Sequence, residues 1–248
     1  MMRITDTVKQ LIIINIIFFI GTYIIGTPIA YKYLALHYPQ NPDFKFWQII
    51  THMFMHGGIP HILFNMLGLW MFGSPLEHFW GTKKFLFFYF SCGLGAAALH
   101  LAVSYFSFEH TLNMLVENGF NKQDVLNTLN RGMFDQRWLE YISESQLSPY
   151  FAPMLGASGA IYGIIVAFAF MFPNAELMLI FLPIPIKAKY FVPGLVAIDL
   201  ILGVQGQSIF GSRFDDGIAH FAHLGGALIG FLMMWYWNKN KFNHNRWN

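Results

Sequence analysis

Cysteine is almost missing from this chain. Cys92 stands alone, so no intrachain disulfide can form, and a single thiol inside an apolar run leaves the redox compartment open. Charge is scarce as well: Asp, Glu, Lys and Arg make up 11% of 248 residues, against 55% hydrophobic ones. That balance excludes an ordinary soluble domain and describes a chain that lives in a bilayer. The net charge of +2 is small and its basic residues are scattered, which excludes a nucleic-acid partner. Internal repeats, low-complexity tracts and a second domain are lacking too, so residues 1–248 read as one membrane domain. The first apolar run, Leu11 to Gly26, lacks a small-residue cleavage site and reads as a retained anchor rather than a removed signal.

What is present is a series of apolar runs. With about 20 residues per helical crossing, they predict an all-α, polytopic bundle of six spans, at about 8–30, 60–80, 84–106, 153–172, 191–210 and 218–237. Lys and Arg near the ends of these spans favour cytoplasmic termini at both ends. The stretch 31–59, with Trp47, reads as an interfacial segment. Residues 107–152 are the one sizeable polar region and are expected to form short amphipathic helices over the outer mouth. Prolines 173, 183, 185 and 193 forbid one continuous helix after the fourth span. Its Leu177 to Leu182 portion is assigned to the inner interface.

Polar residues inside such a bundle are the candidates for function, because each needs a partner in hydrocarbon. Ser158 is framed by Gly156 and Gly159, which leave room for a close approach. Taken alone, this Gly/Ser/Ala face is equally a packing surface. Ser158, His223 and Asn65 each fall five residues after the start of an expected span, about 8 Å deep at 1.5 Å per residue. A serine, a histidine and an asparagine at one level imply a cavity open to water. His61 lies four residues before Asn65 on the same helix face, so the pair can donate to an oxyanion, or simply bond between helices.

Gly159 and Gly163 share the four-residue spacing of Gly226 and Gly230. Two such faces in contact would bring His223 to the Ser158 hydroxyl as a general base. Tyr162 shares the face of Ser158 and can stack on His223 or merely fill the core. No aspartate is expected beside the imidazole: Asp199 belongs to the fifth span, and Asp215 and Asp216 precede the sixth. The reading is a Ser-His dyad.

These residues are similar to the rhomboid family of intramembrane serine proteases. Gly156-Ala157-Ser158-Gly159 resembles its GxSG motif, His61 to Asn65 its HxxxN motif, and Ala222-His223 through Gly226 to Gly230 its AHxxGxxxG motif. Gly73 to Glu77 and Gly81 resemble the family pattern too, whereas Trp47-Gln48 stands where rhomboids usually carry Trp-Arg. The resemblance implies a nucleophilic Ser158, His223 as base and acid, an oxyanion site of Asn65, His61 and the Ser158 N–H, and no cofactor. It also implies transmembrane proteins as substrates, cut near the outer end of the span where helix-destabilising residues let it unwind. A bacterial cytoplasmic membrane is the expected location.

Other readings compete. A helix-binding protein of the same family without activity is one, although such relatives typically lack the serine or the histidine. A zinc hydrolase built on His52, His56 and His61 lacks an H-E-x-x-H motif, and no metal is expected. A transporter would be motivated by Asp199, whose plainer reading is a buried, partnered side chain in the fifth span. The glycines at 203, 206, 211 and 217 suggest a lid over 205–216.

Overall fold

The computed structural model describes residues 3–179, 182–205 and 218–239. Most of them are helical. In chain order the helices are α1 (Asp6–Ile25), α2 (Thr27–Leu34), α3 (Gln48–Thr51), α4 (Ile59–Gly68), α5 (Ser74–Trp80), α6 (Thr82–Glu117), α7 (Lys122–Asn130), α8 (Ser148–Phe151), α9 (Ser158–Met171), α10 (Ala188–Gln205) and α11 (Ile218–Lys239). Three of these, α1, α6 and α10, are long and apolar enough to cross a membrane, and α9 is a shorter apolar helix. Such helices satisfy every backbone group internally, which is what hydrocarbon demands.

Residues Leu69–Gly73 form a π-turn that joins α4 to α5 without a break, so Ile59–Trp80 is one helical rod. The N-terminus of α1 is closed from a distance. Glu77 on α5 accepts from the Thr7 N–H at 3.0 Å, the Val8 N–H at 2.9 Å and the Thr5 hydroxyl. A carboxylate there satisfies orphan donors and complements the helix dipole.

Several expectations need correction. The first span breaks at Gly26, whose φ of 92° lies where a side chain is strained, and α2 restarts at Thr27. The third helix does not stop at Phe106 but runs 36 residues to Glu117. At 1.5 Å per residue that is about 54 Å, well beyond a hydrocarbon core of about 30 Å. Its surplus length, with α7, α8 and the 3-10 turns Gln136–Glu140 and Glu144–Leu147, builds a separate small core around Phe108, Leu112, Leu115, Trp138 and Tyr150. An apolar centre of its own explains why these residues order themselves away from the bundle. After α9 the chain forms an antiparallel hairpin, β1 (Glu176–Leu179) with β2 (Leu182–Lys187), because prolines exclude a helix there.

The main core joins α6, α9 and α11, and their close approach depends on missing side chains. A Cβ on Gly230 would lie 2.7 Å from the Gly163 Cα, and one on Gly163 would lie 2.9 Å from the Gly226 carbonyl oxygen. A Cβ on Gly226 would overlap the Gly159 carbonyl group. Backbone touches backbone along this seam.

Candidate active site

Ser158 is the first residue of α9, not a residue one turn inside a helix beginning at Pro153. Counting depth from Pro153 therefore fails. The segment before it is extended and pinned to the chain between α1 and α4. Leu36 and Met154 exchange backbone hydrogen bonds of 2.9 and 2.8 Å, and the Gly156 N–H donates to the His52 carbonyl at 2.9 Å. Gly156 has φ = 126°, and a Cβ there would lie 2.8 Å from His61 Nε2 and 3.5 Å from Ser158 Oγ. Only glycine suits both the backbone and the gap. The turn aims the hydroxyl sideways at α11 and leaves the first N–H groups of α9 without helical acceptors.

The glycine seam sets the partner. His223 Nε2 lies 2.9 Å from Ser158 Oγ. Its ring stacks on Tyr162 with centroids 4.3 Å apart and planes 8° from parallel. Ser158, Tyr162 and His223 are half-buried, so the hydroxyl is sheltered yet reachable.

His61 is fixed by its surroundings. The Gly57 N–H donates to His61 Nδ1 at 3.3 Å, so in the neutral ring the proton sits on Nε2, the atom that faces the Gly156 gap beside Ser158. His56 packs edge-on against it with centroids 5.0 Å apart. Asn65 is buried one turn below, but its amide donates to the His61 carbonyl at 3.0 Å, which steadies the same helix rather than reaching Ser158.

The aspartate that the sequence reading kept away from the imidazole reaches it. Asp199 Oδ1 lies 3.3 Å from His223 Nδ1 and also bonds His220 Nδ1. Both Asp199 and His220 are buried. The signal was present in the sequence: an acid inside an apolar helix must have a partner, and His220 sits one turn from His223. Only the crossing of α10 and α11 says which partner it finds.

Asp199, His220 and His223 each turn one ligand atom inward, and these atoms lie within 4.8 Å of one another. Two imidazoles and a carboxylate suit a zinc-class ion, but the same Nδ1 atoms are already engaged by the carboxylate. His52, His56 and His61 do not converge in this way: His52 Nδ1 bonds the Gln48 carbonyl at 2.9 Å. The lid expected over 205–216 falls, apart from Gln205 at the end of α10, outside the described residues, as do Asp215 and Asp216.

Gln48, where an arginine was expected, is fully buried and uses its whole amide. Its Oε1 accepts from the His37 and Lys45 N–H groups at 3.3 and 3.0 Å, and its Nε2 donates to the Lys32 and Asp43 carbonyls at 3.0 and 2.9 Å. Four backbone groups of the segment leading to His52 hang on one neutral side chain.

The family model described as "Rhomboid domain" matches residues 43–240. "Rhomboid protein 1, mitochondrial" of Saccharomyces cerevisiae is 27% identical over 191 residues, covering 77% of this chain and 42% of that protein. "Presenilin-associated rhomboid-like protein A, mitochondrial" of Danio rerio is 28% identical, covering 84% and 42%. "RHOMBOID-like protein 12, mitochondrial" of Arabidopsis thaliana is 28% identical, covering 78% and 47%. The chain thus spans less than half the length of these curated relatives. Their names are mitochondrial, which overturns the expectation of a bacterial cytoplasmic membrane.

Proposed function

Because the chain belongs to the rhomboid family, we propose that it is an intramembrane serine endopeptidase that hydrolyses a peptide bond in the membrane span of another protein. The observation that carries this reading is the 2.9 Å approach of His223 Nε2 to Ser158 Oγ at the start of a helix. His223 takes the hydroxyl proton as Oγ bonds to the substrate carbonyl carbon, and the oxyanion so formed faces the free N–H groups at the start of α9 and His61 Nε2–H. Asn65 supports His61 from one turn below. His223 then passes its proton to the leaving amine, which frees the first product. A water molecule next gives a proton to the same nitrogen as its oxygen bonds to the acyl carbon, and the carbon–Oγ bond then breaks as His223 returns that proton to Oγ, which releases the second product and restores Ser158. The reading requires no cofactor and no metal.

Six crossings complete the picture: α1, the rod Ile59–Trp80, α6, α9, α10 and α11, in a single membrane domain. The substrate is a transmembrane segment approaching through lipid, and a segment that unwinds readily presents its backbone to Ser158. The names of the relatives support a mitochondrial membrane as the compartment.

The test is covalent labelling of the detergent-purified protein with a fluorophosphonate, alongside Ser158→Ala and His223→Ala. Labelling of the wild type that disappears in both variants is the expected result. A wild type that stays unlabelled and cleaves no transmembrane substrate, while still retaining such helices, overturns the protease in favour of a helix-binding relative without activity.

A further inference from the structure

Asp199 is assigned no role by the dyad. An ionisable side chain inside an apolar bundle needs a reason. It is buried, and a single oxygen, Oδ1, meets the Nδ1 atoms of two imidazoles, His220 and His223. An ionised carboxylate satisfies both contacts at once, since one oxygen accepts from two N–H donors.

Building on the protease reading above, we propose that Asp199 is a positioning residue of the site, which holds His223 with its proton on Nδ1 and makes Nε2 the base toward Ser158. The contact of 3.3 Å is at the long end for a hydrogen bond, as resting catalytic contacts often are. When His223 takes the serine proton, a full positive charge forms beside a negative one in a water-poor setting, and the contact tightens. Asp199 does not itself become protonated; it orients the ring and offsets the charge. His220 is a second anchor, fixing the carboxylate in line with the first imidazole.

The surroundings leave this carboxylate as the one acidic group directed at His223 among the described residues. Ser158 and Tyr162 face the ring from α9, Asp199 from α10, His220 from its own helix at 6.2 Å between centroids, and His61 from α4. On α6 the neighbours along this part of α11 are Gly95, Ala96 and Leu99, which carry no charge.

The experiment compares Asp199→Asn with the wild type on a fluorogenic transmembrane substrate in liposomes, following kcat, KM and pH. An amide keeps the shape but can present N–H to Nδ1, which puts the imidazole proton on Nε2. The expected result is a kcat lower by about 10²- to 10⁴-fold with KM little changed. The acid limb of the kcat/KM profile should also move to lower pH, because the imidazolium has lost its counter-charge; a residue that only braced α10 would not move that limb. Nitrogen-15 spectra of the wild-type histidines, with His223 assigned by difference from His223→Asn, test the same point independently of Asp199→Asn. Protonated Nδ1 on neutral His223 is expected, and protonated Nε2 overturns the proposal. If the wild type cleaves and Asp199→Asn matches it in kcat and pH profile, the positioning role is wrong and the protease reading survives. If the wild type neither cleaves nor labels, the protease reading itself fails and this role falls with it.

Discussion

Gly226 meets Gly159 backbone to backbone: a Cβ on Gly226 would overlap the Gly159 carbonyl oxygen and its carbon. The contact lies one residue past Ser158 on α9 and three past His223 on α11, so it sets the distance between hydroxyl and imidazole. Gly226→Ala should push the helices apart by more than side-chain adjustment can absorb. The expected outcome is a stability loss of about 1–3 kcal/mol, the usual range for overpacking, with fluorophosphonate labelling reduced by at least about 100-fold, since a misplacement near 1 Å has that effect on reactivity. Labelling rate and thermal unfolding in detergent measure both. Full reactivity in a folded Gly226→Ala variant would show that the seam does not set the site.

His61 and Asn65 should not behave alike, although they share a helix face. The His61 proton is directed to Nε2 by the Gly57 N–H, whereas the Asn65 amide already donates to the His61 carbonyl. In the proposed mechanism His61→Ala removes a donor to the oxyanion and should lower kcat by about 10²- to 10³-fold. Asn65→Ala acts through His61 and should cost less. Steady-state kinetics of both variants decide the order, and a larger loss for Asn65→Ala would reassign the main donor.

Much of the geometry of the candidate site was legible because it depends on short spacings in the sequence. Gly156 to Gly159, His61 to Asn65 and His223 to Gly230 are local patterns, and residue size alone argues for close packing around Ser158. What stayed hidden depends on contacts between distant segments. Asp199 finds His223 only because α10 crosses α11, and Glu77 closes α1 from 70 residues away. Ser158 starts its helix instead of lying inside it, because Leu36 pins Met154 and the His52 carbonyl pins Gly156 in a non-helical, positive-φ backbone, which no periodicity reveals. The length of α6 was missed because its last turns, 107–117, are polar in sequence. They pack against a separate core made of Tyr38 and hydrophobic residues spread over 108–150.

Acid should loosen the segment between α2 and α4. Burial lowers His52 to about 4; burial, with a smaller contribution from His61, lowers His56 to about 3. The folded state therefore holds both rings neutral, while the unfolded chain protonates them near pH 6.5. Stability is fully present above about pH 6.5 and falls as pH drops through the window down to about pH 3–4, at up to about 1.4 kcal/mol per pH unit for each histidine. Thermal unfolding in detergent between about pH 7.5 and 4.5 checks this. His52→Gln with His56→Gln should flatten the curve, and an unchanged slope would assign the acid sensitivity to other groups.

Gln48 offers the sharpest separation of architecture from chemistry, because none of its hydrogen bonds goes to Ser158 or His223 and yet it organises the segment that pins Met154 and Gly156 just ahead of Ser158. Its amide pairs with the backbone of Lys32, His37, Asp43 and Lys45, and it is fully buried. In Gln48→Ala four backbone groups lose their partner, the His37 N–H in a buried bond and the other three in part-buried ones, and an unmet buried polar group costs about 1–3 kcal/mol. Water reaching the vacated space would offset part of that sum. A net loss of about 2–4 kcal/mol is therefore expected, with protease sensitivity appearing between residues 31 and 58. Labelling of Ser158 should fall mainly through the folded fraction and recover on cooling. Gln48→Glu sharpens the comparison: its carboxylate still accepts from the His37 and Lys45 N–H groups but faces the Lys32 and Asp43 carbonyls with no donor. It should destabilise at neutral pH and partly recover in acid as it gains a proton, opposite in sign to the response of His52 and His56. Melting curves of the two variants across pH separate these contributions, and a Gln48→Ala variant as stable as the wild type would mean that the segment is held by its other contacts.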